Sequence, residues 1–197
     1  MSSSPLLERW LDGVLATPGL TAIRDRDEAR RVLLEDSLAG LPLVRDLAGP
    51  IVDVGSGGGA PGIPLAASLP DREVTLLEAN GRKCAFLERW TAELPNLHVV
   101  QGRAEEQEPG RFGVAVAKAL AHPPVAAEWC LPLVADDGWV VLWVGPSAKP
   151  GPVSAAAGRL NAELADAPSG FFRLRRLGPT PDGFPRRPGI AKKRPLA

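Results

Sequence analysis

The sequence predicts a doubly wound α/β fold behind an N-terminal helical appendage, and three observations carry that expectation. From Ile51 onward, short β-branched runs alternate with segments of helical spacing, the mark of βαβ units and a mostly parallel sheet. The first of these runs leads into a glycine-rich turn, "IVDVGSGGGAPGIPLA" over Ile51–Ala66. Ahead of it, Leu6–Leu15 places apolar residues at 6, 7, 10, 11, 14 and 15, which puts them on one face of a helix.

Taken in order, Asp25–Leu43 reads as a second helix, with Val32, Leu33, Leu38 and Leu41 among its apolar positions. Residues 1–48 would form a helical cap and 49–197 the α/β unit. Ile51–Val54 is a strand apolar enough to be buried on both faces, followed by the glycine turn and a helix ending near Leu69. Val74–Glu78 is the second strand, and Asn80–Leu94 a helix facing inward with Cys84, Phe86, Leu87 and Trp90. Leu97–Gln101 and Gly113–Ala117 are strands, Pro124–Leu133 a helix, Trp139–Val144 a fifth strand, and Val153–Ala165 a further helix. Two last strands, Phe171–Leu177 and Gly189–Lys193, are expected to complete one edge as an antiparallel hairpin.

Composition bounds the function. The 197 residues are 45% apolar, enough for a real core, and Lys plus Arg balance Asp plus Glu at 23 each. An overall neutral chain binds nucleic acid only through local placement of charge. The two cysteines, Cys84 and Cys130, lack metal-ligand spacing, so neither a zinc site nor a disulfide framework is expected. No apolar run is long enough to span a membrane, and Met1–Arg9 lacks a signal-peptide pattern. A cytoplasmic monomer without membrane or metal partners is the expectation.

The glycine turn suggests a nucleoside ligand. Gly55, Gly57 and Ala60 fit a loose G-x-G-x-x-[GA] spacing, and Glu78 lies 23 residues after Gly55, where an acid would hold ribose hydroxyls. Asp53 stands two residues before the first glycine; a carboxylate there opposes a pyrophosphate and suits a cationic ligand such as S-adenosylmethionine. Ligands of open parallel sheets bind beyond the carboxyl ends of the strands. Those ends carry Asp53, Glu78, the Gly102–Glu106 segment and Lys118.

These residues resemble the glucose-inhibited division protein B family, also called the RsmG family, of small-subunit rRNA guanine-N7 methyltransferases. The likeness rests on "DVGSGGGAPGIPLA", "VTLLEANGRKCAFL", "VVQGRAEE", the upstream "LTAIRDRDEARRVLLEDSLAGLPL" and the closing "RRPGIAKKRPL". It implies a Rossmann-like, seven-stranded methyltransferase sheet and methyl transfer from S-adenosylmethionine to a guanine N7 in the 530 loop of 16S rRNA. It also implies Asp53, Gly55, Ser56, Gly57 and Gly62 as the cofactor loop, Glu78 at the ribose, and Ala104 and Glu105 at the adenine. The chain departs from the family pattern at Lys118, where an arginine is usual, at Val32–Leu33 and at Val144. The residue patterns taken alone leave open a methyltransferase acting on another substrate, or a non-catalytic rRNA-binding or ribosome-assembly factor.

Guanine N7 carries its lone pair in the ring plane, so its methylation needs positioning and no general base. Lys118 is the candidate for contacting guanine O6 or a phosphate, with His122 as a neighbour in the same pocket. The last 27 residues hold eight basic side chains against Asp182 alone. Within them Arg186, Arg187, Lys192, Lys193 and Arg194 are the expected contacts to 16S rRNA or the small ribosomal subunit.

Overall fold

The computed structural model describes residues 4–197. The cap opens with α1 (Pro5–Ala16), which buries Leu7, Trp10, Leu11 and Val14 along one stripe. Asp25 caps α2 (Arg26–Ala29) by accepting a hydrogen bond from Glu28 N at 2.7 Å. The chain then winds more loosely as a π-helical turn over Arg30–Glu35 before resuming as α3 (Asp36–Ala39) and α4 (Leu41–Val44). The single helix expected over 25–43 is therefore continuous in course but not in winding. Insertions of this kind often accompany functional sites.

The strands β1 (Ile51–Val54), β2 (Val74–Glu78), β3 (Leu97–Gln101) and β4 (Phe112–Lys118) fall close to their expected positions. Helix α5 (Gly62–Ser68) follows β1 and α6 (Gly81–Leu87) follows β2. Helix α7 (Pro123–Cys130) leads to a long β5 (Val134–Trp143) and then α8 (Pro150–Gly158). Strands β6 (Ala162–Ala165) and β7 (Phe171–Arg176) end the seven-stranded sheet, whose order is β3-β2-β1-β4-β5-β7-β6. The first five strands are parallel, while β7 runs antiparallel to both β5 and β6.

Two expectations are corrected. The helix placed over Val153–Ala165 stops at Gly158, and Ala162–Ala165 is a strand. Asn161 lies between them in the left-handed region, at φ 52°, a conformation that ends a helix and that asparagine tolerates. Pairing with β7 then overrides the helix preference of an alanine-rich stretch. The hairpin at the edge is thus β6–β7. Gly189–Lys193, expected as its second strand, begins with Gly189 at φ 83° and forms the short helix α9 (Ile190–Lys193).

Alternation along the strands sorts the core onto two sheet faces. Ile51, Val74, Leu76, Val114, Val116 and Val141 pack with α5, α6 and the cap. Val52, Val54, Ala115, Ala117, Val140 and Leu142 pack with α7, α8 and Leu196. The cap is drawn tightly onto its face: a Cβ at Gly40 would lie 2.1 Å from the Trp143 ring. Trp143 Nε1 also donates to Asp36 O at 2.8 Å. Trp143 is core, whereas Trp139 is only half-buried and is covered by the Arg173 guanidinium at 4.0 Å.

Candidate active site

The turn after β1 is shaped by its glycines. Gly55, Gly57 and Gly59 have φ of 71°, 58° and 100°, values that side chains rarely adopt. Gly55 N and Ser56 N both donate to Leu77 O of β2, at 2.7 and 3.2 Å. A Cβ on Gly55 would collide with Leu120 at 2.3 Å. Behind the turn, Asp53 is 1% exposed and accepts from Gly62 N at 3.0 Å through Oδ2, while its Oδ1 has no partner among the described residues. Burial pushes its carboxyl up to about 7, partly offset by the Gly62 bond and by Ser56. A Cβ at Gly62 would come within 2.7 Å of that carboxylate, so glycine is what lets the helix start close over it.

Glu78 closes the turn from the side. Its Oε2 accepts from Gly57 N at 2.9 Å and its Oε1 from Asn80 N at 2.8 Å. Each carboxylate oxygen keeps a second lone pair, so the residue can fix the loop and still receive two hydroxyls. Asn80 in turn caps α6, accepting from Arg82 N at 3.0 Å. A cavity of about 330 Å³ opens here, lined by Gly55, Glu78, Lys83, Ala104, Glu105, Leu120, Trp129 and Lys192 among others. These residues are of a kind that would suit the adenosine half of S-adenosylmethionine: Glu78 would accept ribose hydroxyls, Ala104, Leu120 and Trp129 would offer apolar surface to a base, and the glycine turn would let backbone approach.

A second cavity, of about 320 Å³, lies between the turn and the cap. Trp10, Val14, Leu20, Asp36, Gly57 and Lys118 line it, and Trp10 Nε1 donates to Gly58 O at 2.8 Å. The Lys118 side chain is only 11% exposed; its Nζ pairs with Asp36 Oδ2 at 2.9 Å and donates to Val32 O in the π-helical turn. A third cavity, of about 530 Å³, lies beyond β4 and β5 and is lined by His122, Trp143, Val144, Ser147, Lys149 and Pro152. His122 occupies the N-cap position of α7 without a side-chain capping bond. The structure thus separates Lys118 from His122, which sequence reasoning placed in one pocket. All three cavities meet at Ala119, an alanine held at φ 53°, a strained conformation of the kind that clusters at functional sites.

The family model described as "GidB: rRNA small subunit methyltransferase G" matches residues 7–151. The chain belongs to the GidB family. It is 36% identical over 198 residues to the ribosomal RNA small subunit methyltransferase G of Moorella thermoacetica, with 90% of this chain and 82% of that protein covered. The protein of the same name from Carboxydothermus hydrogenoformans is 38% identical over 199 residues, with 90% and 83% covered. Among solved structures, a T. thermophilus 16S rRNA N2 methyltransferase in complex with AdoMet and guanosine matches with a TM-score of 0.54 at 13% identity, covering 75% of this chain and 40% of that one. An O-methyltransferase from neocarzinostatin biosynthesis, in complex with S-adenosylmethionine, matches with a TM-score of 0.56 at 19% identity, covering 66% and 49%. This GidB-family chain is a methyltransferase built on a Rossmann-like sheet.

Within the family frame, the C-terminal basic residues divide. Arg187, Lys193 and Arg194 are exposed and form no ion pair among the described residues. Arg186 instead grips Glu128, which is 2% exposed, with both Nε and a terminal nitrogen; it is a tether of the C-terminal segment to α7. Lys192 faces the first cavity, with its Nζ 5.3 Å from the Trp129 ring centroid. Glu105 accepts from Gly189 N at 3.3 Å, which places it between the cavity and the C-terminal segment. Sequence reasoning missed Trp129, Lys83 and Asp36 as site residues. Lys83 and Asp36 lie within segments that carry the family likeness, but nothing local marks either of them, or Trp129, as lining a cavity, and only the folded chain brings them there. Among the described residues no His, Cys, Asp and Glu cluster could hold a metal ion, and no helix is long and apolar enough to cross a membrane.

Proposed function

We propose that the three cavities form one reaction site, in which this enzyme methylates N7 of a guanine in the 530 loop of 16S rRNA. The observation that carries the reading is their meeting at Ala119, at the carboxyl end of β4. Gly55, Glu78, Ala104 and Glu105 would hold the adenosine half of the cofactor. Lys118 and Asp36, an ion pair of opposite charges on the wall of the second cavity, match a carboxylate and an ammonium on its amino-acid half. When bound, S-adenosylmethionine supplies an electrophilic methyl group.

The third cavity would take a flipped-out base, since enzymes that modify a base must remove it from its stack. Guanine N7 attacks without prior loss of a proton, so the protein's task is alignment and a polar surround fixed in advance. That matches the lining of the third cavity, which offers His122 and Lys149 but no carboxylate. Lys149 would meet a phosphate, and His122 would line the entrance. Arg187, Lys193 and Arg194 would hold the backbone of the rRNA without reading its sequence.

Reverse-transcription mapping of N7-methylguanine in rRNA, with and without the gene, tests the assignment. One modified 16S guanine present only with the protein is expected. An unchanged rRNA map, from a chain that binds the cofactor, would overturn the substrate assignment.

A further inference from the structure

The C-terminal segment was expected to serve RNA alone, yet it reaches the cofactor side of the molecule. Three contacts hold it there. Arg186 is paired with buried Glu128 on α7, Gly189 N donates to Glu105 Oε1, and Lys192 stands over the ring of Trp129, the residue next to Glu128. Trp129 and Lys192 line the first cavity together with Glu78 and Ala104.

Neither is paired through its polar nitrogen with a hydrogen-bond acceptor or an acid among the described residues. Trp129 Nε1 is buried and has no acceptor among the described residues. Lys192 forms no ion pair among them, although the carboxylates of Glu78 and Glu105 line the same cavity. An ammonium over an indole is held by the ring quadrupole while its remaining N–H groups stay free to donate. Adenine complements such a wall, with ring nitrogens that accept hydrogen bonds around its edge and an aromatic face.

We propose that Lys192 is a cofactor-binding residue, and that with Trp129 it forms the wall of the site that receives the adenine edge. The inference rests on the reading of the first cavity as the adenosine site. Arg186 and Lys192 then serve the cofactor side, and Arg187, Lys193 and Arg194 are the expected RNA contacts that remain.

Calorimetric titration of the full chain with S-adenosylhomocysteine and with 5′-methylthioadenosine, which lacks the amino-acid half, tests this. Lys192→Met is expected to weaken both ligands about tenfold, the loss of one charged hydrogen bond, and Lys192→Arg to restore part of it. Affinity for a 16S rRNA fragment is expected to change by less than the cofactor's. Because Lys192 is exposed, Lys192→Met should fold; Trp129→Phe, which deletes only the N–H donor, is a second variant expected to lose affinity. Unchanged affinity for both ligands in Lys192→Met, with weakened RNA binding, would return Lys192 to the RNA face and overturn the inference. A wild-type chain that binds neither ligand would instead overturn the adenosine assignment beneath it.

Discussion

Asp53 of β1 and Glu78 of β2 are both buried carboxyls beside one glycine turn, yet they do different work. Glu78 gives each oxygen a backbone donor, whereas Asp53 leaves one oxygen bare and its carboxyl is held near 7 by burial. The unfolded chain releases that proton at an ordinary carboxylate pKa of about 3.9. Between that pH and about 7 the folded state therefore binds more protons, and stability falls as pH rises through this window. The penalty is absent below it and complete above it, with an upper bound of about 4 kcal/mol. Urea denaturation across pH 4.5 to 7.5 should show that slope in the wild type and a flatter one in Asp53→Asn; an equally steep variant would point to another group. For Glu78→Ala, lost acceptors for the ribose and a loosened Gly57 should weaken S-adenosylmethionine binding by about tenfold to a hundredfold. Unchanged affinity in a calorimetric titration would remove Glu78 from the ribose.

At the scale of elements, one charge pair, Arg186 with buried Glu128, ties the C-terminal segment to α7. Arg186→Ala leaves Glu128 buried without its cation, which should cost about 3 kcal/mol in chemical denaturation. Loss of RNA affinity at unchanged stability would show that Arg186 works as the sequence suggested. How much was legible varied by element. Strands β1 to β4 were readable because apolar runs bounded by Gly, Pro or polar turns have few other folded solutions. The edge was not: β6 is a strand only because β7 lies beside it, and no local pattern distinguishes Ala162–Ala165 from the end of a helix. Gly189 resembled the start of a strand, but its positive φ turns the chain into α9 instead. Of the residues that line the cavities, Gly55 and Glu78 were singled out by their spacing and Lys118 by its place at a strand end. Trp129 and Lys192, 63 positions apart in the chain, were not, since neither carries any local sign of the other.

For the molecule as a whole, neutrality is kept by placing charges apart. A chain with equal acidic and basic counts presents Arg187, Lys193 and Arg194 together near its end. Changing all three to alanine should lower the dependence of RNA affinity on log salt by about 2 units, with cofactor binding unchanged; an unaltered slope would place the RNA elsewhere. The cap bears on the order of events in folding. Trp143 Nε1 reaches Asp36 across 107 positions, and Lys118 reaches Val32 across 86. Contacts so distant in sequence must wait for the loops between them to close, and such closures slow folding. The cap helices are therefore expected among the last to be locked in place, because their fastening points on β4 and β5 lie more than eighty residues further along the chain.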